Sequence, residues 1–294
     1  RFLPPLLPGL AGAALHPVIH TGWGLQAQHL GTVADGLAYM ATAFQPLASG
    51  AAHDPPTPLW SHAAPGPVDA TLAFLGRALE QDLVGQVDAA VAMARYRALD
   101  LGLFQPRIIA FDDPALGLGA SLNAAGPLGL PAAGASIIPA LEELMALIAA
   151  ATLASDGEFF VIHGLTSLHA VASLTSVLPA EAQRDALTHW WRVAMATLGA
   201  QRLPGLDAAV ELLTQWRRDA ETDKEHPEAL RPAARARWLQ TLRGVLHSYD
   251  EHIPKAIYAL WQWAEWGVFR PSTVELFVRT AQHLGRAHPS GLIH

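Results

Sequence analysis

The stretch "PAEAQRDALTHWWRVAMATLGAQ", residues 179–201, decides the fold class. Its apolar side chains return every three or four positions with charges between them, the period of a helix that buries one face. Pro179 opens it, and a residue without a backbone N–H is at home in a first turn. The same period runs through residues 68–99, "IPALEELMALIAAATLAS" (138–155), 206–221, 232–249, 254–267 and 273–287. Strand signals are confined to two short runs, "RIIAF" (107–111) and "FFVIH" (159–163). Two loops rich in Gly, Pro and Ala cover 48–67 and 112–136, and loops of that length inside a compact protein are often lids. The chain shows no alternation of strand with helix and no internal repeat. The expectation is an all-α fold, one large helical domain over residues 1–294 with long Gly/Pro-rich loops.

Half of the 294 residues are hydrophobic (51%) and 15% are charged, so a sizeable core forms easily. A net charge of -7, with no dense run of Lys or Arg, argues against nucleic-acid and anionic-membrane partners. The longest charge-free apolar helical stretch, 144–155, is too short to span a bilayer. With no cysteine, disulfides, thiolate metal sites, Fe–S clusters and cysteine nucleophiles are excluded together, which fits a cytoplasmic protein. The N-terminal "RFLPPLLPGL" lacks a signal-peptide pattern, and without an initiator Met the N-terminus is expected to be truncated from a longer product. No GxGxxG follows a strand and no GxxxxGK[ST] occurs, so no flavin or nucleotide motif is written here. A GxSxG elbow is also missing, which leaves a serine hydrolase without support.

Histidine is the remaining chemical resource, with 14 in the chain. His53, His62, His226, His288 and His294 fall in loops or the tail, and His189, His247 and His283 fit the polar faces of helices. Three segments ask for more. In "LHPVIHTGWG" (15–24), His16 and His20 are one helical turn apart and share a face, and Gly-Trp-Gly after them reads as a turn. In "EFFVIHGLTSLHAV" (158–171), His163 ends an apolar run and needs a partner or a metal once buried. His169, six residues on, points about 240° away on a helix, so the two do not easily face one ion. In "YDEHIPKAIYALWQW" (249–263), His252 and Lys255 share a face at a helix start whose first turn is fixed by Pro254. Burial would push Lys255 toward its neutral amine, which reacts with carbon dioxide to give a carbamate, an anionic oxygen ligand. The physically simpler alternative is that Lys255 reaches solvent or pairs with Glu251.

Taken in order, "LPGLAGAALHPVIHTGWGLQ" (7–26), "FFVIHGLTS" (159–167) and "DEHIPKAIYAL" (250–260) resemble three segments of the questin oxidase-like family. The resemblance implies a mainly helical fold and a role in opening or cleaving anthraquinone-type rings. It implies either Baeyer–Villiger-type oxidation with NADPH or a non-haem iron dioxygenase whose metal is held by four histidines and a carboxylated lysine. Carried onto this chain, that ligand set falls on His16, His20, His163, His252 and Lys255. Gln26 stands where the family leads one to expect an acidic residue.

Imidazole and oxygen donors suit Fe(II), and an octahedral ion so held keeps a position open for dioxygen or a substrate oxygen. Trp23, Gln26, His169 and Trp261 are the candidate walls of a pocket for a flat aromatic substrate, although tryptophans at such places also serve plain helix packing. The leading expectation is an Fe(II)-dependent oxygenase whose partners are dioxygen and a small polycyclic aromatic or quinone-type molecule. The alternatives are an NADPH-dependent Baeyer–Villiger-type oxidase, a metal-dependent hydrolase and a non-catalytic helical binding protein.

Overall fold

A computed structural model describes residues 2–44, 60–80, 127–132, 134–200, 206–223, 231–245 and 250–287. Helix dominates them. The α-helices are α1 (His16–Gln26), α2 (Leu30–Thr42), α3 (Pro67–Glu80), α4 (Ile138–Ala154), α5 (Phe159–Thr175), α6 (Ala180–Ala200), α7 (Leu206–Thr222), α8 (Arg231–Val245), α9 (His252–Trp266) and α10 (Pro271–Ala287). Two short 3-10 helices, Pro4–Gly9 and Gly12–Leu15, precede α1. Sheet is confined, among the described residues, to one parallel pair, β1 (Trp60–Ser61) with β2 (Leu128–Gly129). The fold is all-α. Among the described residues no helix is long and apolar enough to cross a membrane.

Three expectations change. "FFVIH" is the first turn and a half of α5 and not a strand. Residues 161–172 are all buried, so no alternation exists to separate helix from strand in a short apolar run. Gly-Trp-Gly is likewise no turn, because α1 runs through it to Gln26. The third change is small: within the expected 48–67 loop, Trp60 and Ser61 pair with β2, and α3 starts at Pro67. The helix expected over 68–99 is described to Glu80 only, and "RIIAF" and most of the 112–136 loop lie outside the described residues.

The chain divides into two compact units, one of residues 1–141 and 167–202, the other of 142–166 and 203–294. In the first, glycines let helices come close. A Cβ on Gly22 would lie 2.4 Å from the Ala170 carbonyl oxygen of α5, and one on Gly36 of α2 would lie 2.4 Å from Thr21 Oγ1 of α1. Trp190 and Trp191 of α6 are fully buried, their indole N–H groups donating to Ser167 Oγ at 2.9 Å and Thr71 Oγ1 at 3.0 Å. Arg184, also buried, donates to the carbonyls of Pro131, Ala180 and Ala132 and lies 5.2 Å over the Trp60 ring. A buried cation satisfied this way ties the strand pair to α6.

In the second unit α4 is buried all round, from Leu144 to Ala151. Glu142 at its start is a buried carboxylate that accepts from the Arg270 backbone N–H at 2.7 Å and from Thr273 Oγ1 at 2.6 Å. Those bonds satisfy the start of α10, whose first N–H groups have no partner inside the helix. Trp216 of α7 adds a bond to the same Thr273 Oγ1 at 3.0 Å. Helix α9 ends at Gly267, whose φ of 65° is the left-handed conformation that closes a helix C-terminus.

Candidate metal centre

His16 is the first residue of α1, and its backbone approach is unusual. Ala13 and Leu15 both take left-handed conformations, φ 46° and 68°, each costing roughly 1–2 kcal/mol for a residue with a Cβ. That path places the Ala13 carbonyl 2.8 Å from His16 Nδ1. A carbonyl only accepts, so Nδ1 carries a proton, and the neutral form of the ring has its lone pair on Nε2. Strain of this kind tends to collect at functional sites.

His163 lies in α5 at 1% exposure. His252 opens α9, and its ring centroid is 4.6 Å from that of His163 at an interplanar angle of 43°. Asp250 Oδ1 accepts from His252 twice, from Nδ1 at 2.6 Å and from the backbone N–H at 2.9 Å. As at His16, an acceptor on Nδ1 means that the neutral form of the ring has its lone pair on Nε2. His163 and His252, both in the second unit, lie ring against ring. Nitrogen ligands sit about 2.1 Å from a divalent transition ion, so two imidazoles held this close can share one ion after modest side-chain rotation. That pair is a donor set a divalent metal can use.

His20 is on the solvent side of α1, its ring 6.3 Å from that of Tyr39 in an edge-on contact. Lys255 Nζ pairs with Glu251 Oε2 at 3.1 Å with 40% of its side chain exposed, which is the simpler of the two arrangements expected for it. The hydrogen bond and the charge of Lys255 hold the Glu251 carboxyl below its usual range.

A second cluster joins α1 to α5. His169 is fully buried, its Nε2–H donates to Gln26 Oε1 at 2.9 Å, and Trp23 meets it at 5.1 Å in a tilted edge contact. Burial lowers its pKa from 6.5 to about 4, so the ring is neutral at pH 7. Three of the four expected pocket residues are thus neighbours. Trp261 belongs to the other unit; nine residues past His252 puts it on the opposite side of α9 from that histidine, and its indole N–H donates to Glu265 at 3.3 Å.

Asp250 and the Ala13 carbonyl were not singled out from the sequence. For Asp250 a signal existed, an acceptor two residues before a histidine at a helix start, where Asp commonly bonds the backbone ahead of it. For Ala13 none did, because left-handed alanine leaves no mark in a sequence.

No curated protein and no solved structure matches the chain. One family profile does, described as Questin oxidase-like, over residues 3–85 and 133–260. That match spans most of the chain and takes in His16, His163 and His252, so the protein belongs to the questin oxidase-like family, a membership that implies an oxidoreductase.

Proposed function

We propose that the protein is a non-haem Fe(II)-dependent oxygenase that inserts oxygen into, or cleaves a ring of, a polycyclic aromatic or quinone-type substrate. The observation that carries the reading is the ring-to-ring placement of His163 and His252, centroids 4.6 Å apart, in a family whose name denotes an oxidation. Imidazole donors without thiolates suit Fe(II) among the common divalent ions. Fe(II) held there would supply the one-electron chemistry that lets dioxygen react with a closed-shell aromatic.

The chain's own residues do the rest. His16, His163 and His252 bind through neutral imidazoles. His20, one turn along α1, and Lys255, in the first turn of α9, are proposed to complete the set. For Lys255 this requires the ammonium to lose a proton to solvent and the neutral amine to add carbon dioxide with release of a second proton, and the carbamate then replaces the ion pair with Glu251. Trp23, Gln26 and His169 are proposed to face the substrate, with Trp23 offering a flat surface and the amide–imidazole pair offering polar edges. Trp261 is given no part, for the reason of its helix face.

Elemental analysis of the purified protein, followed by oxygen uptake with anthraquinone and anthrahydroquinone substrates, tests this. The expected result is about one iron per chain and uptake without NADPH, the substrate hydroquinone supplying the electrons. Uptake that depends on NADPH would give the electron source to an external reductant. A folded protein that binds no metal would end the oxygenase reading.

A further inference from the structure

His16, His252 and His169 are not held alike. His16 and His252 both have Nδ1 against an oxygen that can only accept, the Ala13 carbonyl at 2.8 Å and the Asp250 carboxylate at 2.6 Å. His169 is held the other way round, with Nε2 against Gln26 Oε1 at 2.9 Å. We infer that Asp250 is a positioning residue for the metal site, which fixes His252 as the Nδ1–H tautomer and aims its Nε2 lone pair as a ligand, with the Ala13 carbonyl doing the same for His16. The inference rests on the reading that these histidines hold a metal.

The physical case has three parts. A histidine ligand needs a lone pair on a defined nitrogen, and the partner on the other nitrogen decides which one that is. A carboxylate on that partner nitrogen also makes the ring a stronger donor. Asp250 is built to serve this end, because the same Oδ1 accepts from the His252 backbone N–H at 2.9 Å. The carboxylate is therefore anchored to the start of α9, and the ring orientation follows the backbone.

The competing role for Asp250 is a plain helix-start cap, and the two separate by substitution. Asp250→Ser keeps a short acceptor for the backbone N–H but does not reach the ring. Asp250→Asn keeps an acceptor for both groups and loses the charge. Metal-free protein is titrated with Co(II), read by its visible spectrum, and its unfolding is followed separately. Asp250→Ser is expected to melt near the wild type yet bind Co(II) about 10- to 100-fold more weakly. Asp250→Asn is expected to lose about 3- to 10-fold, and it carries the test if the serine variant fails to fold. Nitrogen NMR of the metal-free protein is expected to show Nε2 unprotonated in His252 and His16 and protonated in His169.

Wild-type protein that binds Co(II), with the serine and asparagine variants binding equally well, overturns the positioning role and leaves the metal reading standing. Wild-type protein that binds no Co(II) overturns both. An Nε2-protonated His252 in the metal-free protein overturns the tautomer assignment on its own.

Discussion

His163 and His169 sit on the same helix, six residues apart, and both are buried, yet they serve different neighbours. His163 lies ring to ring with His252. His169 is bonded to Gln26 and edged by Trp23. Six residues on a helix turn the direction by about 240°, so one helix presents one ring to His252 and another, neutral and hydrogen-bonded, to Gln26. Burial alone therefore says little about what a histidine does; the atom opposite each ring nitrogen says more.

The largest expected effect of breaking this contrast is at the metal. His163→Ala should lower metal affinity more than about 100-fold, since it removes a proposed ligand and not a partner of one. His169→Ala should leave metal content unchanged and instead cost about 2–4 kcal/mol of stability through a cavity and an unpaired Gln26. Metal analysis beside urea unfolding of the two variants checks both halves. Loss of metal in both, or in neither, would erase the distinction.

Acid sharpens it next. Because His169 has its pKa lowered to about 4 from 6.5, the unfolded chain takes up a proton at higher pH than the folded one. The stability it contributes is full above pH 6.5 and is lost as pH falls toward 4, up to about 3 kcal/mol. His189, lowered to about 4 by burial and then by Arg192, adds a loss of the same sign. Unfolding midpoints measured from pH 7 to pH 4 should fall less steeply in His169→Gln than in the wild type.

A smaller effect is expected where α1 meets α5. Gly22→Ala puts a Cβ 2.4 Å from the Ala170 carbonyl oxygen, next to His169, and backbone cannot swing aside as a side chain can. A loss of about 1–3 kcal/mol is expected in denaturant titration, with spread to the Trp23–His169 contact visible in tryptophan fluorescence. Smallest of all is Lys255→Ala, which removes an exposed ion pair and should change stability by less than about 1 kcal/mol. Its metal affinity is the informative reading: added bicarbonate should raise affinity in the wild type and not in the variant if the carbamate forms.

Much of this was legible in residue spacing. The amphipathic helices α6, α7, α9 and α10 announce themselves by charges between apolar residues, and the structure has them within a few residues of the expected limits. Helix α5 does not, since it has no exposed face over 161–172 to set a period. The 240° argument separated His163 from His169 correctly because it needs only a helix. At His20 and Lys255 spacing shows a shared helix face and no more: His20 lies on the solvent side of α1 and Lys255 pairs with Glu251. Gly-Trp-Gly was misread. Glycine marks a turn when the chain needs a positive φ, but Gly22 and Gly24 stay helical and serve close approach instead.

The most direct test is anomalous diffraction at the iron edge, from crystals of protein produced with iron supplied. The expected result is one strong peak bordered by the Nε2 atoms of His16 and His252 and by a ring nitrogen of His163. Well-ordered imidazoles with no anomalous peak among them would contradict the metal centre, and with it the oxygenase.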